Sequence, residues 1–177
     1  MSAPGAPSVR LFLALWPTPP VRAALQQLQQ RWHWPPSAAL VAPERLHVTL
    51  HFLGQVPLAR LAQLRDGLDV PFEPHTLDLA QARHTLWPGG LAVLELEAPR
   101  ALASLHAHLA QALRALDWPV EARPFRPHVT FSRRAFGARP PAPPLHDAPA
   151  WTVDQGYALV RSIPSQGYEV LHVYGMH

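Results

Sequence analysis

Pro43-Glu44-Arg45-Leu46-His47-Val48-Thr49 returns later in the chain as Pro124-Phe125-Arg126-Pro127-His128-Val129-Thr130. Pro, Arg, His, Val and Thr recur in the same order, at a constant offset of 81 residues. A repeat of this kind makes the chain two related halves, each with one His-x-Thr on an expected strand. Side chains along a strand alternate between its faces. His47 and Thr49 therefore share one face, as do His128 and Thr130. Packing alone needs only hydrophobic periodicity to recur; it has no need of a second His and Thr at matching positions. Two imidazoles and two hydroxyls facing one cleft suit acid–base chemistry on a phosphodiester. One neutral ring takes a proton from water, the other gives a proton to the departing oxygen, and Thr49 and Thr130 hold the nonbridging oxygens.

Composition narrows the chemistry. The chain has 177 residues, enough for one domain with a sound core. It has no cysteine, which removes disulfides, thiolate catalysis and Cys-ligated zinc. All 15 residues of the Lys+Arg count are arginine. Without lysine there is no Walker A lysine, no Schiff base and no lysyl-nucleotide intermediate. Coding bias in a GC-rich genome is the ordinary reason for such a skew, and arginine forks still suit phosphate. No metal-binding pattern such as H-E-x-x-H is present, so neither a metal nor another cofactor is expected. No apolar run is long enough to span a bilayer. Residues 1–8 read as a loose N-terminal tail without a signal sequence, which places the protein in the cytoplasm.

Val9–Leu15 reads as a buried strand. Pro19 and Pro20 open a helix with Val21, Leu25, Leu28 and Trp32 inward. Leu46–Leu53 is the first motif strand, stopped by Gly54. Leu58, Leu61, Leu64 and Leu68 mark a second helix. Thr76–Arg83 and Leu91–Glu97 are expected strands joined through Trp87-Pro88-Gly89-Gly90. Pro99 starts the longest helix, with Leu102, Leu105, Leu109, Leu113 and Leu116 inward. His128–Ser132 is the second motif strand. A proline-rich loop, Arg139–Ala150, precedes strands at Trp151–Arg161 and Tyr168–Tyr174. The expected class is α+β, with residues 9–177 as one bilobal domain. Each half is an antiparallel sheet with helices on its outer face, and the uncovered faces form a central cleft.

Four further residues are candidates for substrate contact. His51 follows His47 and Thr49 by alternation and would line the cleft edge. Arg133 or Arg134, just past the second motif, would reach the phosphate or stack on a base. Strict alternation puts Arg133 on the far face, so its role requires the strand to end or twist near Ser132. Phe12 and Phe52 are candidate base platforms, against the ordinary reading that strand aromatics pack inward. His106 and His108 diverge on a helix and read as a solvated face.

His47-Val48-Thr49-Leu50 and His128-Val129-Thr130-Phe131 resemble the paired motifs of the 2H phosphoesterase superfamily. The match is closest to its bacterial and archaeal RNA 2′,3′-cyclic phosphodiesterase branch, also called 2′-5′ RNA ligase. Arg10–Leu15, Leu46–Gly54 and Arg123–Thr130 carry the resemblance, with Ser162, Gly167 and Tyr168 of a later hairpin. It implies a pseudo-twofold bilobal fold and hydrolysis of RNA 2′,3′-cyclic phosphate ends, or small cyclic nucleotides, to 2′-phosphates; separately, a monomer is expected. It further implies that His47 is the general acid on the 3′ oxygen, that His128 is the general base on water, and that Thr49 and Thr130 are phosphate ligands. Arg133 matches a family arginine near the site; His51 stands where a small residue is expected. Two other readings are a 2′-5′ ligase running the same site in reverse and an RNA- or nucleotide-binding module without turnover. Effective molarity would have to favour joining over hydrolysis in water, and binding alone does not need two titratable groups.

Overall fold

The structure is a computed structural model that describes residues 5–142 and 145–176. In chain order the elements are β1 (Ser8–Leu15), α1 (Pro19–Gln30), β2 (Ala39–Leu40), β3 (Val48–Pro57), α2 (Leu58–Gly67), β4 (His75–Leu77), β5 (Arg83–Trp87), β6 (Leu91–Glu95), α3 (Arg100–Ala115), β7 (His128–Arg133), β8 (Trp151–Val153), β9 (Tyr157–Ile163) and β10 (Gly167–Tyr174). The architecture is α+β, with two antiparallel sheets. The main one runs β10-β9-β1-β3-β7-β6-β5, with β2 also on β7, and β4-β8 form the small one.

The repeat extends well beyond the two motifs. The unit β1-α1-β3 returns as β6-α3-β7, and the helices begin at Pro19 and Arg100, again 81 residues apart. The main sheet thus has two wings, β10-β9-β1-β3 and β2-β7-β6-β5. They meet at one paired position, Val48 opposite Val129. Each motif strand is the innermost strand of its wing.

Apolar residues at helical spacing put α1 and α3 on the outer side. Leu25 and Leu28 of α1 and Leu102, Leu105, Leu109 and Leu113 of α3 are buried with Leu11, Leu13, Val48, Leu50, Val129 and Phe131 of the strands. On the opposite face of the first wing, a small cluster of Phe12, Ala14, Ala158 and Val160 is flanked by Trp16 and Tyr168.

Several boundaries differ from the sequence expectation. β1 starts at Ser8, inside the expected tail; residues 1–4 lie outside the described residues. β3 continues through Gly54, which takes a φ of +72° and still pairs with Leu11. The expected strand Thr76–Arg83 is broken by a turn in which the Asp78 carboxylate accepts the Gln81 backbone N–H at 3.2 Å. The expected strand Trp151–Arg161 divides at Gly156. Its φ is +76°, and a Cβ there would fall 1.7 Å from the Tyr174 carbonyl oxygen, so only glycine fits. Of the proline-rich loop, residues 143–144 lie outside the described residues.

Two β-bulges decide which side chains reach the cleft. β1 pairs Ala14 with Thr49 and Leu13 with His51, so Leu50 is the extra residue in β3. β6 pairs Val93 with Thr130 and Ala92 with Ser132, so Phe131 is the extra residue in β7. Leu50 and Phe131 occupy equivalent positions of the repeat. A bulge disrupts the ladder locally, and here a helix side chain reaches each; the Phe131 carbonyl also accepts the Val41 backbone N–H at 2.9 Å. Gln29 of α1, buried, donates at 2.9 Å to the carbonyls of both Phe131 and Val41. The His106 ring of α3 stacks at 4.0 Å on His51, the residue next to Leu50. Each helix therefore sets a side chain against the bulge of the other wing.

Candidate active site

The site is built at the seam between the wings. The His47 ring donates from Nδ1 to the Arg45 carbonyl at 2.6 Å, and His128 does the same to the Arg126 carbonyl at 2.8 Å. Each carbonyl fixes the tautomer and leaves Nε2 for chemistry. His47 Nε2 also lies 2.9 Å from the Thr49 hydroxyl. Among the described residues no such bond joins His128 to Thr130. His47 and His128 both line one limb of the cleft together with Thr49 and Thr130.

Each ring is walled by aromatics. His47 packs against Phe12 at 4.9 Å, Tyr168 at 5.5 Å and Trp16 at 5.6 Å, the last nearly parallel. His128 packs against Trp87 at 4.5 Å. Burial pushes His47 down to about 4, against the opposing effect of its bond to the Arg45 carbonyl, while the nearby His128 lowers it further. Burial also lowers His128. There the Arg126 carbonyl and the Glu95 charge oppose the fall, and the Arg126 guanidinium adds to it.

The bulges decide where the remaining candidates lie. After Leu50 the alternation of β3 reverses, so His51 leaves the face of Thr49. It lies 7% exposed at the far end of the cleft, hydrogen-bonded through Nε2 to the His106 carbonyl at 2.9 Å and stacked on the His106 ring at 4.0 Å. His106 is correspondingly no solvated helix face; it is half-buried between His51 and Phe125, whose ring it meets at 3.9 Å. Phe52 takes the cleft position instead and is 58% exposed. Phe12 is buried under His47 as part of the floor. The bulge at Phe131 likewise turns Ser132 inward, fully buried, and Arg133 into the cleft. Arg134 has a φ of +50° and is not among the cleft-lining residues.

Sequence reasoning passed over Arg45 and Arg126, although both stand in the quoted repeat. Each guanidinium lies over an aromatic ring that packs on the neighbouring histidine. Arg45 is 5.8 Å from the Tyr168 centroid and Arg126 is 4.6 Å from that of Trp87. Trp16 and Trp87 carried no local signal, because sheet order alone brings them to the histidines.

The cleft has two limbs sharing Thr49, Phe52, His128, Thr130 and Arg133. The wide limb, about 850 Å³, runs past Trp87, Arg126 and Phe125 to His51. The narrow limb, about 440 Å³, is lined by Arg10, Arg45, His47 and the turn from Ser162 to Tyr168. Both lie within the ~300–1,000 Å³ usual for small-ligand sites.

This arrangement has known relatives. A family described as LigT like phosphoesterase matches residues 15–90, which hold the first motif. An RNA 2′,3′-cyclic phosphodiesterase of Thermus thermophilus is 33% identical over 174 residues, covering 87% of this chain and 82% of its own. The chain belongs to the LigT-like phosphoesterases. Among solved structures, E. coli LigT complexed with 3′-AMP superposes with a TM-score of 0.77 at 28% identity, covering 95% of this chain and 98% of its own. A crystal structure of a phosphoesterase gives 0.80 at 26% identity, with 95% and 98% covered. This LigT-like phosphoesterase matches those folds over nearly its whole length, and no helix among its described residues is long and apolar enough to cross a membrane.

Proposed function

We propose that this phosphoesterase hydrolyses RNA 2′,3′-cyclic phosphate ends to 2′-phosphates without a metal, using His47 and His128 as the acid–base pair. The observation that carries the reading is the matched clamp. Each ring's Nδ1 is held by the carbonyl two residues before it, which leaves Nε2 as the nitrogen for proton transfer. In the reaction His128 Nε2 takes a proton from water as the water oxygen bonds to phosphorus. The P–O3′ bond breaks, and His47 Nε2 gives its proton to O3′. The 2′-phosphate is left with a free 3′-hydroxyl, and the histidines exchange protonation states until solvent resets them.

Thr49, Thr130 and Arg133 supply donors for the phosphate oxygens. In the free protein Thr49 occupies His47 Nε2, so the same hydroxyl can transfer its bond to an arriving phosphate. Burial leaves both rings neutral near pH 7, and His47 is driven to about 4. The anionic substrate opposes that desolvation and favours the imidazolium. Work as the acid therefore requires His47 to gain its proton in the complex, beside the charge developing on O3′.

The test is a nucleoside 2′,3′-cyclic phosphate incubated with the enzyme in excess EDTA. The expected product is the 2′-phosphate alone. A 3′-phosphate product, or activity lost in EDTA and restored by a divalent ion, overturns the reading. Ester formation from separate 2′-phosphate and hydroxyl ends, exceeding hydrolysis, would assign the ligase direction instead.

A further inference from the structure

The two limbs differ in charge as well as in size. In the wide limb, Arg126 is held by Glu95 through two hydrogen bonds of 2.9 and 3.0 Å, and Glu95 is only 15% exposed. Arg123 in the same limb is paired with Glu121 at 2.9 Å. In the narrow limb, Arg10 and Arg45 have no carboxylate partner among the described residues, and no acidic residue lines the limb. Arg45 and Arg126 are equivalents in the repeat, so the contrast comes from their surroundings rather than from backbone placement.

The Arg45 guanidinium is nonetheless held in place. Gly167 has a φ of +100°, and a Cβ there would come within 3.3 Å of Arg45 Nε and Nη2. The missing side chain lets the guanidinium cross the β9–β10 hairpin and lie over Tyr168. The fork is thus supported from below and open toward the cleft, next to His47.

We propose that the narrow limb takes the terminal nucleoside and that Arg45 binds the phosphodiester on its 5′ side, so that an oligonucleotide end is preferred to a free cyclic nucleotide. The inference rests on the hydrolase reading above, and a second argument from the reaction supports it. In-line attack puts the entering water and the departing O3′ on opposite sides of phosphorus. With His128 serving water and His47 serving O3′, the ribose lies on the His47 side, which is the narrow limb. The strand's next phosphate then meets the uncompensated arginines, where a charge-assisted fork binds it best. The wide limb, where Arg123 and Arg126 are paired and Arg133 is shared with the narrow limb, is left for water.

The experiment compares three substrates: a dinucleotide ending in a 2′,3′-cyclic phosphate, the same dinucleotide with an uncharged methylphosphonate internal linkage, and a mononucleoside 2′,3′-cyclic phosphate. Wild-type kcat/KM should be at least ~10-fold higher for the phosphodiester than for the methylphosphonate, the size of one lost charged hydrogen bond. In Arg45→Gln the two dinucleotides should come within about twofold of each other. Arg45→Lys keeps the charge and should retain part of the linkage effect. No linkage effect in wild type, a full effect surviving in Arg45→Gln, or its complete loss in Arg45→Lys each overturns the inference. If wild type hydrolyses only the mononucleoside, the substrate assignment is wrong while the hydrolase reading stands. Turnover of none of the three refutes the hydrolase reading, and the inference falls with it.

Discussion

The half around His47 and the half around His128 share a frame and differ in what they attach to it. The shared parts come with the repeat: a carbonyl two residues ahead that clamps the ring, a hydroxyl two residues on, a bulge at Leu50 or Phe131, and an arginine over an aromatic. The differences are side chains. Where the first half presents Phe52 to the cleft, the second presents Arg133. His47 has three aromatic neighbours and no acid; His128 has one tryptophan and pairs with Glu95 of β6. A duplicated frame places two like groups symmetrically, whereas an acid and a base must differ in environment. The surroundings therefore carry the asymmetry that the proposed acid and base roles need.

The first way to break this comparison is to remove each histidine. His47→Ala and His128→Ala should each lose the ~10²–10⁴ that general acid–base catalysis contributes, read as kcat on a cyclic dinucleotide. Near wild-type turnover in a folded His128→Ala protein would end the two-histidine mechanism.

The second exchanges attention to the pair that the bulges swing inward. Arg133→Ala removes a charged fork and should raise KM by roughly 10-fold or more, with Arg133→Lys only a partial rescue. Phe52→Ala should act on the base rather than the phosphate, costing up to ~1–3 kcal/mol if a base stacks on it. The neighbour Arg134→Ala should be silent within ~0.5 kcal/mol. A damaging Arg134→Ala beside a silent Arg133→Ala would show that the bulge at Phe131 does not govern the cleft.

The third concerns pH. Both histidines are lowered in the free protein, so the kcat/KM profile should lie on the acid side of the usual histidine range. Bound phosphate stabilises the imidazolium, so the alkaline limb of kcat should lie at higher pH than that of kcat/KM. Coincident limbs would mean that substrate does not restore a proton.

The smallest expected effect is the most specific to one half. Glu95→Gln removes a charge that supports protonation of His128. One limb of the pH–rate profile should move to lower pH while the limb belonging to His47 stays. Two limbs moving together would show that the halves are electrostatically joined rather than separately tuned.

The sequence alone disclosed the frame, since a strict spacing survives in any chain that repeats it. Helix faces such as Leu102, Leu105, Leu109 and Leu113 were equally plain, because burial enforces their period. The bulges were hidden. An extra residue in a ladder leaves no mark on local alternation, so His51 read as a neighbour of Thr49, and Arg133 could reach the cleft only if the strand ended or twisted near Ser132. Their actual places depend on β1 and β6, far off in the chain. The tryptophans were hidden for a related reason: Trp87 meets His128 only because β6 brings β5 alongside. His106 misled because helix geometry says which residues diverge, and not which bulge a side chain will reach.

The seam at Val48 and Val129 has a mechanical meaning. In each wing the residue just before the seam is the histidine. For any rotation of one wing against the other about this line, displacement grows with distance from the pivot. The histidines sit almost on it, while the rims carrying the β9–β10 turn and the β5–β6 turn lie at the ends of the lever arms. Such a rotation would widen the mouth while barely changing the gap between the imidazoles.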